Sequence, residues 1–163
     1  MILSTSKTIF AFENLMSTLK IVFQLTKFRL SFLVSFSAIF GFVLASDSFR
    51  ILDLLILGLS GYLVTASSVI NNQILEKELD EKMDRTKKRP LPTNKISKYN
   101  SLIISLIFMF FGLFLMLFFF NVIAFLLSLA SLIIYTFVYT PLKRVGPIAV
   151  FVGAIPGALP PLI

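Results

Sequence analysis

Long apolar runs without a single charge alternate with short charged segments along this chain. Uncharged runs cover residues 30–46, 54–71 and 101–141, and another apolar run begins at 145. A helix needs about 20 mostly apolar residues to cross the hydrocarbon core of a bilayer. The third run, 101–141, would make one helix about 60 Å long, so we expect it to turn back near Asn121. The pattern predicts five spans, at 30–46, 54–71, 101–120, 122–140 and 145–163.

These spans predict an all-α fold, a polytopic transmembrane helical bundle built by a single membrane domain over residues 1–163. Composition agrees, because 57% of the residues are hydrophobic and only 14% are charged, whereas soluble domains average about 25% charged residues. The sequence contains no Cys and no His. Disulfide scaffolds, thiolate zinc sites and serine–histidine triads are therefore excluded.

The positive charges lie mainly in alternate connections between the runs. Residues 1–29, 72–100 and 141–146 are rich in Lys and Arg, whereas the connection at 47–53 and the turn at 121 are not. The net charge of +7 is therefore better explained by the positive-inside rule than by a nucleic-acid partner. This distribution predicts an integral membrane protein, in a bacterial cytoplasmic membrane, with its N-terminus in the cytoplasm.

The segment 1–29 mixes apolar and polar residues ahead of the first run. Apolar side chains at Phe10, Phe12, Leu15 and Leu19 recur at near-helical spacing, which favours an interfacial helix lying on the membrane. A targeting segment is the alternative, but no small-residue cleavage site follows an apolar core. We therefore expect an N-terminal interfacial segment.

The 72–100 loop contains the candidate chemistry. Asn72, Glu76, Asp80 and Asp84 follow one another at intervals of four, so on a helix they would share one face, although like charges at that spacing repel. Pairs expected elsewhere on this helix are Glu78 with Lys82 and Glu81 with Arg85, and Pro90 is expected to end it. Unpaired carboxylates on one face indicate a bound cation, and oxygen ligands suit Mg²⁺.

A basic cluster follows the acidic residues directly. It consists of Arg85, Lys87, Lys88 and Arg89, and Arg is well suited to bidentate contact with phosphate. Acids for Mg²⁺ beside arginines for phosphate, at a membrane surface, favour a site for a lipid diphosphate. Two simpler interpretations stay open: a solvated loop that only sets topology, or a patch that binds anionic membrane lipid.

The motif resembles the first acidic motif of the UbiA-type intramembrane prenyltransferases. Asn72 and Asp80 match its form N-D-x-x-D-x-x-x-D, while Gln73 and Glu76 replace its first two acids. These departures resemble the branch that farnesylates protohaem, as do the element R-T-x-x-R-P-L at 85–91 and the segments 139–144 and 146–161. The element at 85–91 also occurs in quinone prenyltransferases, so the later segments distinguish the branch.

The resemblance implies a Mg²⁺-dependent transfer of the farnesyl group from farnesyl diphosphate to a vinyl group of haem B, giving haem O. Haem B would be a substrate and not a cofactor. The matched positions imply Asn72, Glu76 and Asp80 as metal ligands and catalytic residues, and Arg85 and Arg89 as diphosphate ligands. Tyr139 and Lys143, four residues apart, would contact the diphosphate or the allylic cation. An interfacial Tyr with a snorkelling Lys is the alternative for that pair.

The family's bundle has about nine spans and two acidic motifs. No Asp or Glu follows Asp84, so we expect this chain to be an N-terminal fragment that is inactive alone. Two alternatives stay open: another UbiA-type enzyme acting on a quinone precursor, and a non-enzymatic membrane fragment with a lipid-binding loop. Proteins of the haem pathway or of terminal-oxidase assembly are further candidate partners.

Overall fold

A computed structural model describes residues 16–143 and 145–163 of the chain. All regular structure in these ranges is helical, which confirms the predicted all-α fold. Phe10, Phe12 and Leu15 of the expected interfacial helix lie outside the described residues. The elements are α1 (Met16–Leu25), α2 (Phe28–Ala45), α3 (Ile51–Leu75), α4 (Lys77–Asp80), α5 (Lys98–Phe119), α6 (Val122–Leu142) and α7 (Ile148–Ala158), followed by a 3₁₀ turn at Pro160–Leu162.

Four of these helices, α2, α3, α5 and α6, are long and apolar enough to cross a membrane. The outer face of α5 shows what they present to lipid: Phe110, Phe114 and Phe118 are exposed and stack one turn apart. The chain is therefore an integral membrane protein. The last apolar run forms the shorter helix α7, which contains Pro156 and runs into the 3₁₀ turn at Pro160, because proline removes backbone donors from a helix.

Helix α3 occupies the centre of the bundle, packed between α2 and α5. Small residues allow the close approach. A Cβ on Gly112 of α5 would lie 2.8 Å from Val64 Cγ2, so no larger residue fits there without a shift. Ser67 of α3 lies 3.0 Å from Ser105 of α5, hydroxyl to hydroxyl. Small residues and interhelical hydroxyl contacts are the means by which membrane helices associate, since lipid is as apolar as the side chains.

The junction between α1 and α2 is a sharp break at Lys27, whose φ of 44° is left-handed. Hydrogen bonds from α3 hold this break in place. Gln73 donates its amide to the Leu25 carbonyl, and the Tyr62 hydroxyl donates to Thr26 Oγ1 at 3.1 Å. The break therefore has a defined shape, and it directs the Lys27 side chain toward the polar end of α3.

The segment after α4 corrects one expectation. The helix was expected to continue to Pro90, but α4 ends at Asp80 and the chain continues in turns. The Thr86 hydroxyl donates to the Asp80 carbonyl at 3.1 Å, and Leu91 is fully buried in a cluster with Leu25 and Ile70. These contacts fold the segment back onto the bundle, which a continuous helix would prevent.

The charge pairs expected on that longer helix are therefore wrong as well. Glu81 Oε1 lies 3.7 Å from Lys77 Nζ, and Glu78 Oε1 lies 3.9 Å from Lys98 Nζ. Glu81 thus pairs with a cation one turn before it, and only Glu78 pairs with a cation that folding of the loop brings near it.

Candidate active site

A cavity of about 310 Å³ opens beside the last turn of α3, and we refer to it as the charged cavity. It brings together six of the seven predicted site residues, from two separate parts of the chain. The predicted residues that line it are Asn72, Glu76, Asp80, Arg85, Arg89 and Lys143. The seventh, Tyr139, does not line the charged cavity; it lines a neighbouring cavity.

Each predicted metal ligand already has a partner within the protein. Glu76 Oε1 lies 2.8 Å from Lys143 Nζ, while its Oε2 accepts a 2.8 Å hydrogen bond from the Asn72 amide. Asp80 Oδ2 lies 2.6 Å from an Arg89 guanidinium nitrogen. The two carboxylates are therefore fixed by cations, one from α6 and one from later in the same loop, so the cavity has an ordered set of charges.

Burial separates these acids from the fourth member of the predicted acidic series. The Asp80 and Glu76 side chains are 5% and 14% exposed, whereas the Asp84 side chain is 96% exposed and pairs with the neighbouring Lys87. Asp84 does not line the cavity. The helical face that would have aligned all four residues ends at Asp80, and only the first three are brought together.

Gln73 explains one departure from the family motif. Its side chain is fully buried and donates to the Leu25 carbonyl at the α1–α2 break. It does not line the charged cavity. The replacement of an acid at this position therefore removes no carboxylate from the cavity of this chain.

A widened, π-helical segment of α6, Ile134–Tyr139, shapes the opposite wall. Just beyond it, the Thr140 hydroxyl lies 2.8 Å from both Asn72 Oδ1 and the Tyr135 carbonyl. Insertions of this kind are frequent at functional sites, because they redirect side chains within a helix. Here the widened segment allows α6 to present Tyr135, Thr140 and Lys143 toward α3.

Tyr139 and Lys143 interact with each other. The Lys143 ammonium lies 5.0 Å from the centroid of the Tyr139 ring, within the range of a cation–π contact. A Cβ on Gly153 of α7 would lie 2.6 Å from that ring, so α7 supports the tyrosine from behind. The arrangement positions the Lys143 ammonium between Glu76 and Asn72 Oδ1, the latter at 3.1 Å.

A second cavity, of about 340 Å³, lies among α2, α3, α6 and α7, and we refer to it as the apolar cavity. Its walls include Leu30, Val34, Val69, Gly153 and Gly157. Tyr135 lines both this cavity and the charged cavity. An amphiphile with a polyanionic head and an apolar tail would find a matching environment on each side of this tyrosine.

Lys27 and Tyr135 are among the residues of the cavity to which the sequence interpretation gave no role in the site. Lys27 lines the charged cavity, although the segment before the first run was considered only for membrane contact. Burial lowers the pKa of Lys27, and the like charges of Arg89 and Lys143 lower it further, against the opposing effect of Asp80 and Glu76. The available signal was a lysine at the start of an apolar run. The same pattern is equally typical of a lysine that only sets the orientation of a membrane helix.

The donor set fits a hard divalent cation, since it offers two carboxylates and an amide oxygen. Among residues 16–143 and 145–163, no group of three or more Asp, Glu, His or Cys side chains could hold a metal alone. Four cationic side chains line the cavity, Lys27, Arg85, Arg89 and Lys143, against the two carboxylates of Glu76 and Asp80. The excess of positive charge fits a polyanion that brings Mg²⁺ with it.

Comparison with known proteins agrees with this arrangement. Residues 34–163 match the UbiA prenyltransferase family. The chain belongs to the UbiA prenyltransferase family. Members of this family are generally Mg²⁺-dependent, which agrees with the oxygen ligands of the charged cavity.

Several similar UbiA-family proteins have the name protoheme IX farnesyltransferase. One from Cytophaga hutchinsonii is 46% identical over 142 residues, which cover 86% of this chain and 50% of that protein. Another from Christiangramia forsetii is 39% identical over 137 residues, covering 84% and 45% respectively. The chain thus spans about half the length of the relatives it matches.

A solved structure of digeranylgeranylglyceryl phosphate synthase in membranes resembles the fold. The TM-score is 0.78 at 26% identity, over 87% of this chain and 50% of that one. This similarity supports the helical arrangement of the fold over most of the chain.

Proposed function

We propose that this chain forms the diphosphate-binding part of an enzyme that transfers the farnesyl group of farnesyl diphosphate to a vinyl group of haem B, giving haem O. The bond between farnesyl C1 and the diphosphate oxygen breaks as a bond forms between C1 and the vinyl group. Water adds to the resulting cation and loses a proton, which the released diphosphate can take up. The choice of haem B as the acceptor is supported by the names of the similar proteins and by the motif departures at Gln73 and Glu76.

The observation that carries the proposal is the junction of the two cavities at Tyr135. The charged cavity offers cations and carboxylates for a metal-bound diphosphate, and the apolar cavity offers space for an isoprenoid chain. The scissile bond between C1 and its oxygen would lie at this junction. Aromatic faces there, from Tyr135 and Tyr139 with ring centroids 5.3 Å apart, would stabilise positive charge developing on the allylic carbon.

The residues of the charged cavity have distinct proposed roles. Asn72, Glu76 and Asp80 would hold Mg²⁺, which would neutralise the leaving diphosphate as a Lewis acid. Lys143 and Arg89 hold the carboxylates in the free protein, and on substrate binding they would turn to the diphosphate oxygens. Arg85 lines the same cavity with no described acid partner, so its guanidinium is free to bind phosphate.

We also propose how the chain lies in its membrane. Helices α2, α3, α5, α6 and α7 would be the five predicted spans, with the charged cavity and the N-terminus on the cytoplasmic side. The cationic segments before α2, between α3 and α5 and after α6 support this orientation. The cytoplasmic membrane of a bacterium is the proposed location, where soluble farnesyl diphosphate would reach the cavity directly.

Binding and transfer can be tested separately. The 163-residue chain, reconstituted in nanodiscs, is expected to bind farnesyl diphosphate in Mg²⁺ and to lose most of that affinity in EDTA. Binding that is equal in Mg²⁺ and EDTA would contradict the metal assignment, and a membrane fragment without enzymatic function would show no Mg²⁺-dependent binding.

Transfer requires a protein with both acidic motifs. Residues 1–163 alone are expected to produce no haem O in membranes lacking the enzyme, because one series of carboxylates holds the diphosphate from one side only. A protein of the full length of the relatives, given haem B or an aromatic quinone precursor as acceptor, should prenylate only the haem. Prenylation of the quinone precursor would favour the alternative acceptor.

A further inference from the structure

A third cavity, of about 290 Å³, adjoins the charged cavity, and we refer to it as the basic mouth. It shares three lining residues with the charged cavity: Lys27, Arg85 and Arg89. The complete lining consists of Gln24, Lys27, Arg85, Lys88, Arg89 and Pro90. Lys88 belongs to the basic mouth alone.

The two adjoining sites differ in their charge. The charged cavity contains Glu76 and Asp80, whereas no acidic residue lines the basic mouth. Of its four cationic side chains, only Arg89 has an acid partner among the described residues, and that partner, Asp80, lies in the other cavity. Cations concentrated in this way repel one another unless an anion lies between them.

Two of the four cations of the basic mouth are held in place by other residues. Lys27 lies at the left-handed break before α2, which Gln73 and Tyr62 hold by hydrogen bonds. On the other side, Pro90 is buried against the bundle beside Arg89, whose guanidinium is anchored by Asp80. Lys27 and Arg89 are therefore fixed in position, whereas Arg85 and Lys88 are exposed on the turns that precede Arg89.

We propose that the basic mouth is a second anion site, which binds a multiply charged anion without a metal ion. It has no carboxylate to share a metal with its ligand, but it has guanidinium and ammonium groups that bind oxyanions directly. The identity of the natural ligand rests on the proposed function. Two anions of that reaction qualify, the released diphosphate and the paired carboxylates of haem B.

Lys88 allows the basic mouth to be tested without changing the charged cavity. Inorganic diphosphate would be titrated calorimetrically, in EDTA, into the 163-residue chain in nanodiscs of zwitterionic phosphatidylcholine. Lys88→Gln is expected to weaken metal-free binding about fivefold, the effect of one partly screened charge-assisted contact. The matched control is Lys87→Gln, since Lys87 pairs with Asp84 and lines neither cavity, and its affinity should not change.

The ligand source is distinguished by comparing haem B with its dimethyl ester. If Lys88→Gln weakens the binding of haem B but not of the ester, the haem carboxylates are the natural ligand. If it weakens only the binding of diphosphate, the released product is the natural ligand. Equal affinities of the Lys88 and Lys87 variants for both anions would overturn the proposal. Disappearance of the Lys88 effect in nanodiscs with phosphatidylglycerol would also overturn it, because a lipid headgroup would then occupy the mouth.

Failure of this proposal can be separated from failure of the proposed function. Mg²⁺-dependent binding of farnesyl diphosphate, measured on the same samples, reports on the charged cavity. If that binding persists while the Lys88 and Lys87 variants are equal, only the basic mouth is rejected. If it is absent while Lys88→Gln still weakens metal-free binding, only the prenyl-transfer proposal is rejected.

Discussion

The charged cavity and the apolar cavity meet at Tyr135, yet they are organised in opposite ways. The charged cavity is held by ion pairs, one between distant segments, Glu76 with Lys143, and one within the folded loop, Asp80 with Arg89. The apolar cavity exists because small residues leave room: a Cβ on Gly157 would meet nothing within 4 Å. The charged cavity therefore depends on electrostatic partners, whereas the apolar cavity depends on positions that have no side chain.

The largest effect should come from removing a carboxylate of the charged cavity. Glu76→Gln and Asp80→Asn, made in a protein of the full length of the relatives, are each expected to lower prenyl transfer by about 100-fold or more, because neutralisation of the leaving diphosphate by a metal contributes several kcal/mol. The assay is haem O formation by membranes at limiting Mg²⁺, with the amount of inserted protein measured in parallel.

Asp84→Asn is the matched control for these variants. Its carboxylate belongs to the same series in the sequence, but it is exposed and lies outside the cavity, so activity should be unchanged. Near-normal turnover of Glu76→Gln or Asp80→Asn would remove that residue from the metal site. A loss equal to theirs in Asp84→Asn would show that the acidic loop acts as a whole.

Substitution of Arg85 tests whether the excess positive charge of the charged cavity binds the diphosphate. Arg85→Ala is expected to weaken farnesyl diphosphate binding about tenfold, the effect of a charge-assisted contact reduced by solvent screening. Binding of the haem dimethyl ester, which has no carboxylates, should change little. An unaltered affinity for farnesyl diphosphate, accompanied by altered topology in protease-protection experiments, would favour a purely topological role for the basic cluster.

Substitutions at two glycines of α7 test the two cavities separately. Gly153 supports the charged cavity through Tyr139, and Gly157 leaves space in the apolar cavity. Gly153→Ala forces the Tyr139 ring to move, which should disturb Lys143 and lower transfer several-fold with every isoprenoid, roughly the cost of 1 kcal/mol. Gly157→Leu enters open space and should reduce binding of farnesyl diphosphate more than of geranyl diphosphate. Equal losses for both chain lengths in Gly157→Leu would place the isoprenoid tail elsewhere.

The smallest expected effect concerns stability. Burial and the charges of Arg89 and Lys143 lower the pKa of Lys27, so its charged form is less favourable in the folded state than in the unfolded chain. Lys27→Met should therefore raise the melting temperature at pH 7 by about 1–3 °C while weakening diphosphate binding.

The pH dependence of the difference in stability between Lys27→Met and the unsubstituted protein follows from the lowered pKa of Lys27. The penalty is fully present below the lowered pKa of Lys27 in the folded protein, and it disappears as the pH rises toward the ordinary value near 10.4. The gain from Lys27→Met should shrink over that window, as measured by thermal unfolding in detergent. A variant that is less stable at pH 7 would show that the Lys27 charge is favourable in the fold.

Local pattern in the sequence already determined the class of this protein. Uncharged runs of membrane length can bury their backbone polar groups in lipid only as helices, so 30–46, 54–71 and 101–141 required an all-helical membrane fold. The spacing of Asn72, Glu76 and Asp80 likewise placed these three polar side chains on one side, because the last turn of α3 and the short α4 keep them close to helical spacing.

Only the tertiary structure decided which charges belong to the site. Thr86 and the burial of Leu91 end the helix early and leave Asp84 in solvent, while Arg89 folds back onto Asp80. Lys143 reaches Glu76 from 67 residues away through the widened turn of α6, and a left-handed backbone at Lys27 adds a cation from before α2. These contacts depend on how the loop folds back on itself and on packing between segments far apart in the chain. Neither is encoded in the local spacing of residues.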